Sequence, residues 1–248
     1  FNKAVYTADK QYTLFVGEKM PFEGRVAVIT GGAGAIGKAT AYKLMAEGAI
    51  VYIVGRTAKT LDAAVEELNA AVKDRGKVKS VVMDVADHLS IEEGFKKIYE
   101  IEGKIDILIN CAGGGARDKA KYLYQQDISV IDDVLNGNLR GSILCARAVA
   151  EGMMKQGYGK IINLSSSIGI NGLEKCVDYS AAKSGMLGFT KSLAKELGAY
   201  GINVNCVTPG AIRRGGFSVI DAENQKETNY LHAVGTLQDV ANVIVFLV

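Results

Sequence analysis

The stretch RVAVITGGAGAIGKATAYKLMAEG, residues 25–48, decides the fold. It opens on a short β-branched apolar run, passes through a glycine cluster, and ends in residues that favour helix. A strand that turns at once into a helix leaves the first helical N–H groups without partners, and the helix dipole favours an anion there. Gly32, Gly34 and Gly37 satisfy G-x-G-x-x-G, whose glycines permit a tight turn, close backbone approach to a pyrophosphate and close helix–strand contact. A purely structural turn has the same glycines. The strand before it and the helix after it favour the dinucleotide-binding reading.

From Arg25 onward, apolar β-branched runs alternate with helical patterns: RVAVIT (25–30), IVYIV (50–54), VKSVVM (78–83), IDILIN (105–110), GKIINLS (159–165) and GINVNCV (201–207). The runs show little polar alternation, as expected of parallel strands covered by helices on both faces. This predicts an α/β protein, a single-domain, Rossmann-like doubly wound parallel sheet. At 248 residues and 48% hydrophobic composition, the chain is long enough to bury one large core. Residues 24–248 form the expected domain, and residues 1–23, which have no clear period, read as an N-terminal arm.

At the end of the second strand a dinucleotide-binding fingerprint has an acidic residue that holds a ribose 2′-hydroxyl. This chain has Gly55 and Arg56 there. A carboxylate repels a 2′-phosphate, whereas a guanidinium pairs with it through two charge-assisted hydrogen bonds, so NADP is favoured and NAD remains possible. The alternative is that Arg56 is a solvated loop charge.

Tyr179 and Lys183, in DYSAAKSG (178–185), stand at i and i+4 and share one face of a helix. An ammonium beside a phenol favours the phenolate, which brings a tyrosine toward acid–base chemistry. Ser166, in NLSSSIG (163–169), follows the fifth strand and places a hydroxyl at the carboxyl edge of the sheet, where ligands of such folds bind. A serine in a turn or cap is common at that place too.

With these residues in order, the sequence resembles the classical short-chain dehydrogenase/reductase family over residues 24–248. The resemblance is carried by TGGAGAIG (30–37), DV (84–85), NCAG (110–113), NLRG (138–141), LSSSIG (164–169), YSAAK (179–183) and PGAI (209–212). It implies that Tyr179 is the general acid or base, that Lys183 lowers its pKa and binds the nicotinamide ribose, and that Ser166 orients the substrate carbonyl. Asn138 matches the position that supports a water relay to the lysine, with a helix-packing asparagine as the alternative. Gly31, Gly32, Gly34, Ile36 and Gly37 would hold the diphosphate, and Asp84 and Val85 would border the adenine. Asn110, Ala112 and Gly113 would line the cofactor after the fourth strand, and Pro209, Gly210 and Ile212 would line it after the sixth.

Three departures from the family pattern stand out. Ala35 replaces the middle glycine of the turn, Cys111 replaces the second asparagine of NNAG, and Ile212-Arg213-Arg214 stands where a threonine often meets the nicotinamide carboxamide. The sequence ends at VIVFLV (243–248), in the helix that should precede a seventh strand, so that strand is expected to be absent from the sequence. The family often uses the tail after it for subunit contacts. A homodimer or homotetramer is expected nonetheless, through the helix 179–197, with Met186, Leu187, Phe189 and Leu193 at the interface, and through the long helix around 130–156.

The expected activity is hydride transfer between NADP(H) and a small-molecule carbonyl or alcohol. The sequence resembles 3-oxoacyl-acyl-carrier-protein reductases and polyol or sugar-acid dehydrogenases equally. A dinucleotide-binding sensor without turnover is a third reading, opposed by the intact Ser166, Tyr179 and Lys183. Arg213 and Arg214 begin the expected substrate segment, as a pair for a phosphate or carboxylate or as solvated charges. With 29 basic and 27 acidic residues interspersed, nothing predicts a nucleic-acid partner or a polybasic membrane contact. No apolar run is long enough to span a membrane, and the start of the chain lacks a signal-peptide pattern. The four cysteines form no C-x-x-C pair and read as reduced thiols, and neither His88 nor His232 has metal-like spacing. The reading is therefore a soluble, cytoplasmic protein that uses no metal.

Overall fold

The computed structural model describes residues 20–72, 76–114, 117–213 and 233–248. Most of the expected arm, residues 1–19, and the expected substrate segment from Arg214 to His232 lie outside the described residues.

Six strands follow the six apolar runs: β1 (Val26–Thr30), β2 (Ile50–Gly55), β3 (Lys77–Val82), β4 (Ile107–Asn110), β5 (Gly159–Leu164) and β6 (Ile202–Val207). They form one sheet in the order β3-β2-β1-β4-β5-β6, and every pairing is parallel. The helices are α1 (Ala35–Ala46), α2 (Ala58–Val72), α3 (His88–Glu102), α4 (Ile128–Leu135), α5 (Gly141–Gln156), the short α6 (Ile168–Asn171), α7 (Val177–Leu197) and α8 (Leu237–Leu247).

Successive strand residues point to opposite faces, which explains how one continuous apolar run serves two cores. Ala27, Ile29, Val51, Ile53, Ile107 and Ile109 pack with Leu44 of α1, Leu61 of α2 and Ile244 of α8. Val26, Val28, Tyr52, Val54, Leu108 and Ile161 pack on the other face with Phe95 of α3, Val149 of α5 and Leu197 of α7. This is the expected doubly wound sheet. The strand order reverses between β1 and β4, which opens a crevice at the carboxyl ends of those two strands.

Two features differ from the sequence reading. The helix expected around 130–156 is interrupted by a π-turn at Asn136–Arg140, between α4 and α5. Met186, expected at a subunit interface, is instead fully buried in the monomer. Ala182, Lys183, Met186 and Thr190 recur at helical spacing and are all buried, so Met186 lies on the same inward face as Lys183. Phe189 and Leu193 also pack toward the sheet.

Candidate active site

The β1–α1 turn is built from backbone. Gly31 has φ +64°, a left-handed conformation, and a Cβ there would come within 2.9 Å of Ala112 Cα. A Cβ on Gly37 would meet the Gly31 carbonyl at 2.5 Å, so the helix sits directly on the turn. The turn is tied to both neighbouring strands. Gly32 N donates to the Val54 carbonyl at 3.2 Å, and Thr30 Oγ1 accepts from the backbone N–H of Cys111 and of Ala112, each at 3.1 Å. Gly34, at the N-cap of α1, supplies no side-chain cap, which leaves the first helical N–H groups directed at the crevice. These features fit a dinucleotide diphosphate. The chemistry of the residues fits a phosphate too, since Arg56 is exposed immediately beyond the end of β2.

Asp84 follows β3, where its side chain accepts from Ala86 N at 2.9 Å and its N–H donates to Ser90 Oγ at 3.0 Å. Both Asp84 and Val85 are half-buried. Asn110 ends β4 with its amide turned inward: Nδ2 donates to Asn163 Oδ1 at 2.9 Å and to the Ser142 carbonyl at 3.3 Å. Gly113, at φ +120°, is pressed against the Asn138 side chain, where no Cβ would fit. Beyond β6, the Pro209 carbonyl accepts from Ser167 N at 2.9 Å, and Gly210 is exposed. Ile212 packs on the core face that carries α1 and bridges to Gly235.

Ser166, Tyr179 and Lys183 come from two elements. Ser166 follows β5 and accepts from Ile168 N at 3.3 Å through its hydroxyl. Tyr179 is in the first turn of α7, half-buried against Val130, Val134 and Ala182. Lys183, one turn on, is only 5% exposed; its Nζ lies 5.7 Å from the Tyr179 ring centroid and donates to the Leu164 carbonyl at 2.8 Å. Burial pushes the Lys183 ammonium down to about 8, with the Cys111 and Cys206 thiols acting in the opposite direction. Helix α7 is clamped locally to the end of β5 by Ser165 Oγ, which donates to the Lys183 carbonyl at 2.6 Å, and to α6 by Ser184 Oγ, which donates to the Gly169 carbonyl.

Asn138 lies at the middle of the π-turn, 1% exposed. Its Nδ2 donates to the Val134 carbonyl at 2.8 Å and the Gly114 carbonyl at 3.1 Å, while its Oδ1 is buried without a hydrogen-bond partner. A π-turn shifts the helical ladder by one residue and leaves carbonyls to be satisfied by side chains. Sequence reasoning missed Thr30, Asn163, Ser165 and Thr190, whose side chains bond partners distant in sequence, and Ser142, whose hydroxyl bonds the Asn138 carbonyl one turn back.

The described residues contain no helix long and apolar enough to cross a membrane. Residues 25–224 match the family model described as short chain dehydrogenase. The chain is 37% identical over 232 residues to the 3-oxoacyl-[acyl-carrier-protein] reductase of Aquifex aeolicus, covering 92% of each. It is 32% identical to a 2-dehydro-3-deoxy-L-rhamnonate dehydrogenase (NAD(+)) of a Sphingomonas species, covering 91% of this chain and 88% of that one. Among solved structures, an NAD+-bound xylitol dehydrogenase aligns with a TM-score of 0.84 at 25% identity, over 92% of this chain and 93% of that chain. With the parallel sheet, the glycine turn and the Tyr179–Lys183 pair, these matches place the chain in the short-chain dehydrogenase/reductase family, oxidoreductases that use a nicotinamide nucleotide.

Proposed function

We propose that the chain reduces a ketone or aldehyde to an alcohol with NADPH, reversibly in principle, and that a 3-oxoacyl group on a carrier protein is the leading substrate. The observation that carries the acid–base part is the buried Lys183 ammonium, anchored by the Leu164 carbonyl one helical turn from Tyr179. The substrate class rests on similarity to the Aquifex aeolicus reductase. A sugar-acid substrate is the second reading, supported by the Sphingomonas relative.

NADPH would supply the hydride to the carbonyl carbon. The Tyr179 hydroxyl gives its proton to the carbonyl oxygen, and Ser166 donates a hydrogen bond to that oxygen, which holds the carbonyl in place. Lys183 stabilises the phenolate that Tyr179 becomes, and also binds the nicotinamide ribose. Asn138 supports the relay that returns a proton to this pair. The α1 N-terminus, with Gly31, Gly32, Gly34, Ile36 and Gly37, holds the diphosphate, and Arg56 pairs with the 2′-phosphate. Asp84 and Val85 border the adenine. Ala112, Gly113, Pro209 and Gly210 line the nicotinamide half, supported from beneath by Asn110. The Ile212 side chain packs on the core, so any carboxamide contact falls to its backbone.

Activity and the Lys183 contribution to stability should respond to alkaline pH in opposite directions. Lys183 holds its proton below about pH 8 and releases it above, so kcat/KM for reduction should fall along a limb with an apparent pKa near 8 in the free enzyme. The folded-state pKa lies below the ordinary 10.5, so the unfolded chain binds more protons between these values. The Lys183 contribution to stability therefore rises with pH across that window. Initial rates of the wild type, and the difference in melting temperature between wild type and Lys183→Met at each pH, check this. A flat rate profile across this window would remove the ammonium from the mechanism.

The test of the substrate class is a comparison of 3-oxoacyl thioesters, oxo-sugar acids and simple ketones under NADPH. A preference for the thioesters supports the leading reading, and a preference for the oxo-sugar acids supports the second.

A further inference from the structure

Beneath the cleft, a line of buried polar side chains crosses the sheet from the π-turn to α7. Ser142 Oγ donates to the Asn138 carbonyl at 2.7 Å, and the Ser142 carbonyl accepts from Asn110 Nδ2. Asn110 Nδ2 also donates to Asn163 Oδ1, Asn163 Nδ2 donates to Thr190 Oγ1 at 2.9 Å, and Thr190 Oγ1 donates to the Met186 carbonyl at 2.7 Å. Every member is at most 7% exposed. Asn110, Asn163 and Cys206 are register partners on β4, β5 and β6.

Burying this many polar groups under a sheet otherwise filled with Val, Ile and Leu is costly unless they find partners, and among these side chains only the Asn110 and Asn138 Oδ1 atoms lack one. Apolar contacts such as Phe189 and Leu193 against the sheet are non-directional and tolerate a small slide or roll of α7. A hydrogen bond between fixed side chains does not. Lys183 and Thr190 are two helical turns apart on one face of α7. At the first, Ser165 of the β5 end holds the Lys183 carbonyl; at the second, Asn163 of β5 holds the Thr190 hydroxyl. One attachment leaves a helix free to pivot, and two fix both its height and its rotation.

We propose that Asn163, Ser165 and Thr190 are positioning residues, which use this two-point grip to set Tyr179 and Lys183 against Ser166. The inference rests on the acid–base roles assigned above. None of the three is required to touch substrate or cofactor; they act through α7.

The test compares Thr190→Val, which keeps the shape and removes the hydroxyl, with Thr190→Ser, which keeps the hydroxyl, and with Ser165→Ala. Thr190→Val should lower kcat by about ten- to a hundredfold, the scale of a small misplacement of reacting groups. NADPH affinity should change by less than about threefold, since the diphosphate turn is untouched. Thr190→Ser should restore kcat to within about threefold of wild type, and Ser165→Ala should lower kcat as Thr190→Val does. A kcat at the wild-type value in folded Thr190→Val would overturn the proposal, as would a loss that Thr190→Ser fails to restore. If Thr190→Val does not fold, Ser165→Ala decides alone, and wild-type kcat in that variant overturns the proposal. Tyr179→Phe in the same assay separates the two levels: if it keeps its turnover, the acid–base assignment has failed, not merely the grip.

Discussion

Tyr179→Phe is expected to lose at least about two orders of magnitude in turnover while binding NADPH as the wild type does, the scale of a removed general acid. The substitution deletes one hydroxyl from a ring held by Val130, Val134 and Ala182, so the packing of the first turn of α7 survives. Lys183 remains anchored to the Leu164 carbonyl, and the ribose side of the site is unchanged. Turnover and dissociation constant should therefore separate cleanly. Parallel measurement of kcat by NADPH absorbance and of affinity by nucleotide fluorescence checks this, and unchanged turnover would remove Tyr179 from the mechanism.

The second large effect concerns cofactor choice. Gly55 ends β2 without a carboxylate and Arg56 stands exposed beside it. A guanidinium–phosphate fork contributes about 1.5–3 kcal/mol, which corresponds to about a ten- to hundredfold preference for NADPH in kcat/KM. Gly55→Asp combined with Arg56→Ala should invert that preference, because the ribose hydroxyl gains an acceptor as the phosphate loses its partner. The site has room for the change. A Cβ on Gly55 would lie 3.5 Å from Leu61 Cδ2, an ordinary contact. Equal use of both nucleotides by the wild type would show Arg56 to be a solvated charge.

Much of this architecture is legible in the sequence because it depends on local pattern. The six apolar runs became the six strands nearly to the residue, since parallel strands covered on both faces need continuous apolar segments. The glycine turn is legible for a similar reason: strand, glycines and helix are contiguous. Helical spacing alone puts Tyr179 and Lys183 on one face, but it takes Ser166 at the end of the fifth strand to lift the pair above an ordinary surface pair. What the sequence hides is long-range. Nothing near Asn163 announces Thr190 as its partner, and nothing near Thr30 announces the N–H groups of Cys111 and Ala112. The π-turn around Asn138 is equally hidden, because its residues suit an ordinary helix and only the side-chain bonds of Asn138 and Ser142 mark the shifted ladder. Met186 was misread because a small-residue helix can face either a subunit or its own sheet. Its zero exposure shows that it is buried within its own subunit.

The central claim is that this chain turns over a carbonyl substrate with NADPH and does not merely bind the nucleotide. The most direct measurement is the initial rate of NADPH and NADH oxidation by the wild-type protein across 3-oxoacyl thioesters, oxo-sugar acids and simple ketones. The account predicts carbonyl-dependent oxidation, faster with NADPH by about tenfold or more in kcat/KM. Tight nucleotide binding with no carbonyl-dependent oxidation would contradict it and identify a dinucleotide-binding protein without turnover.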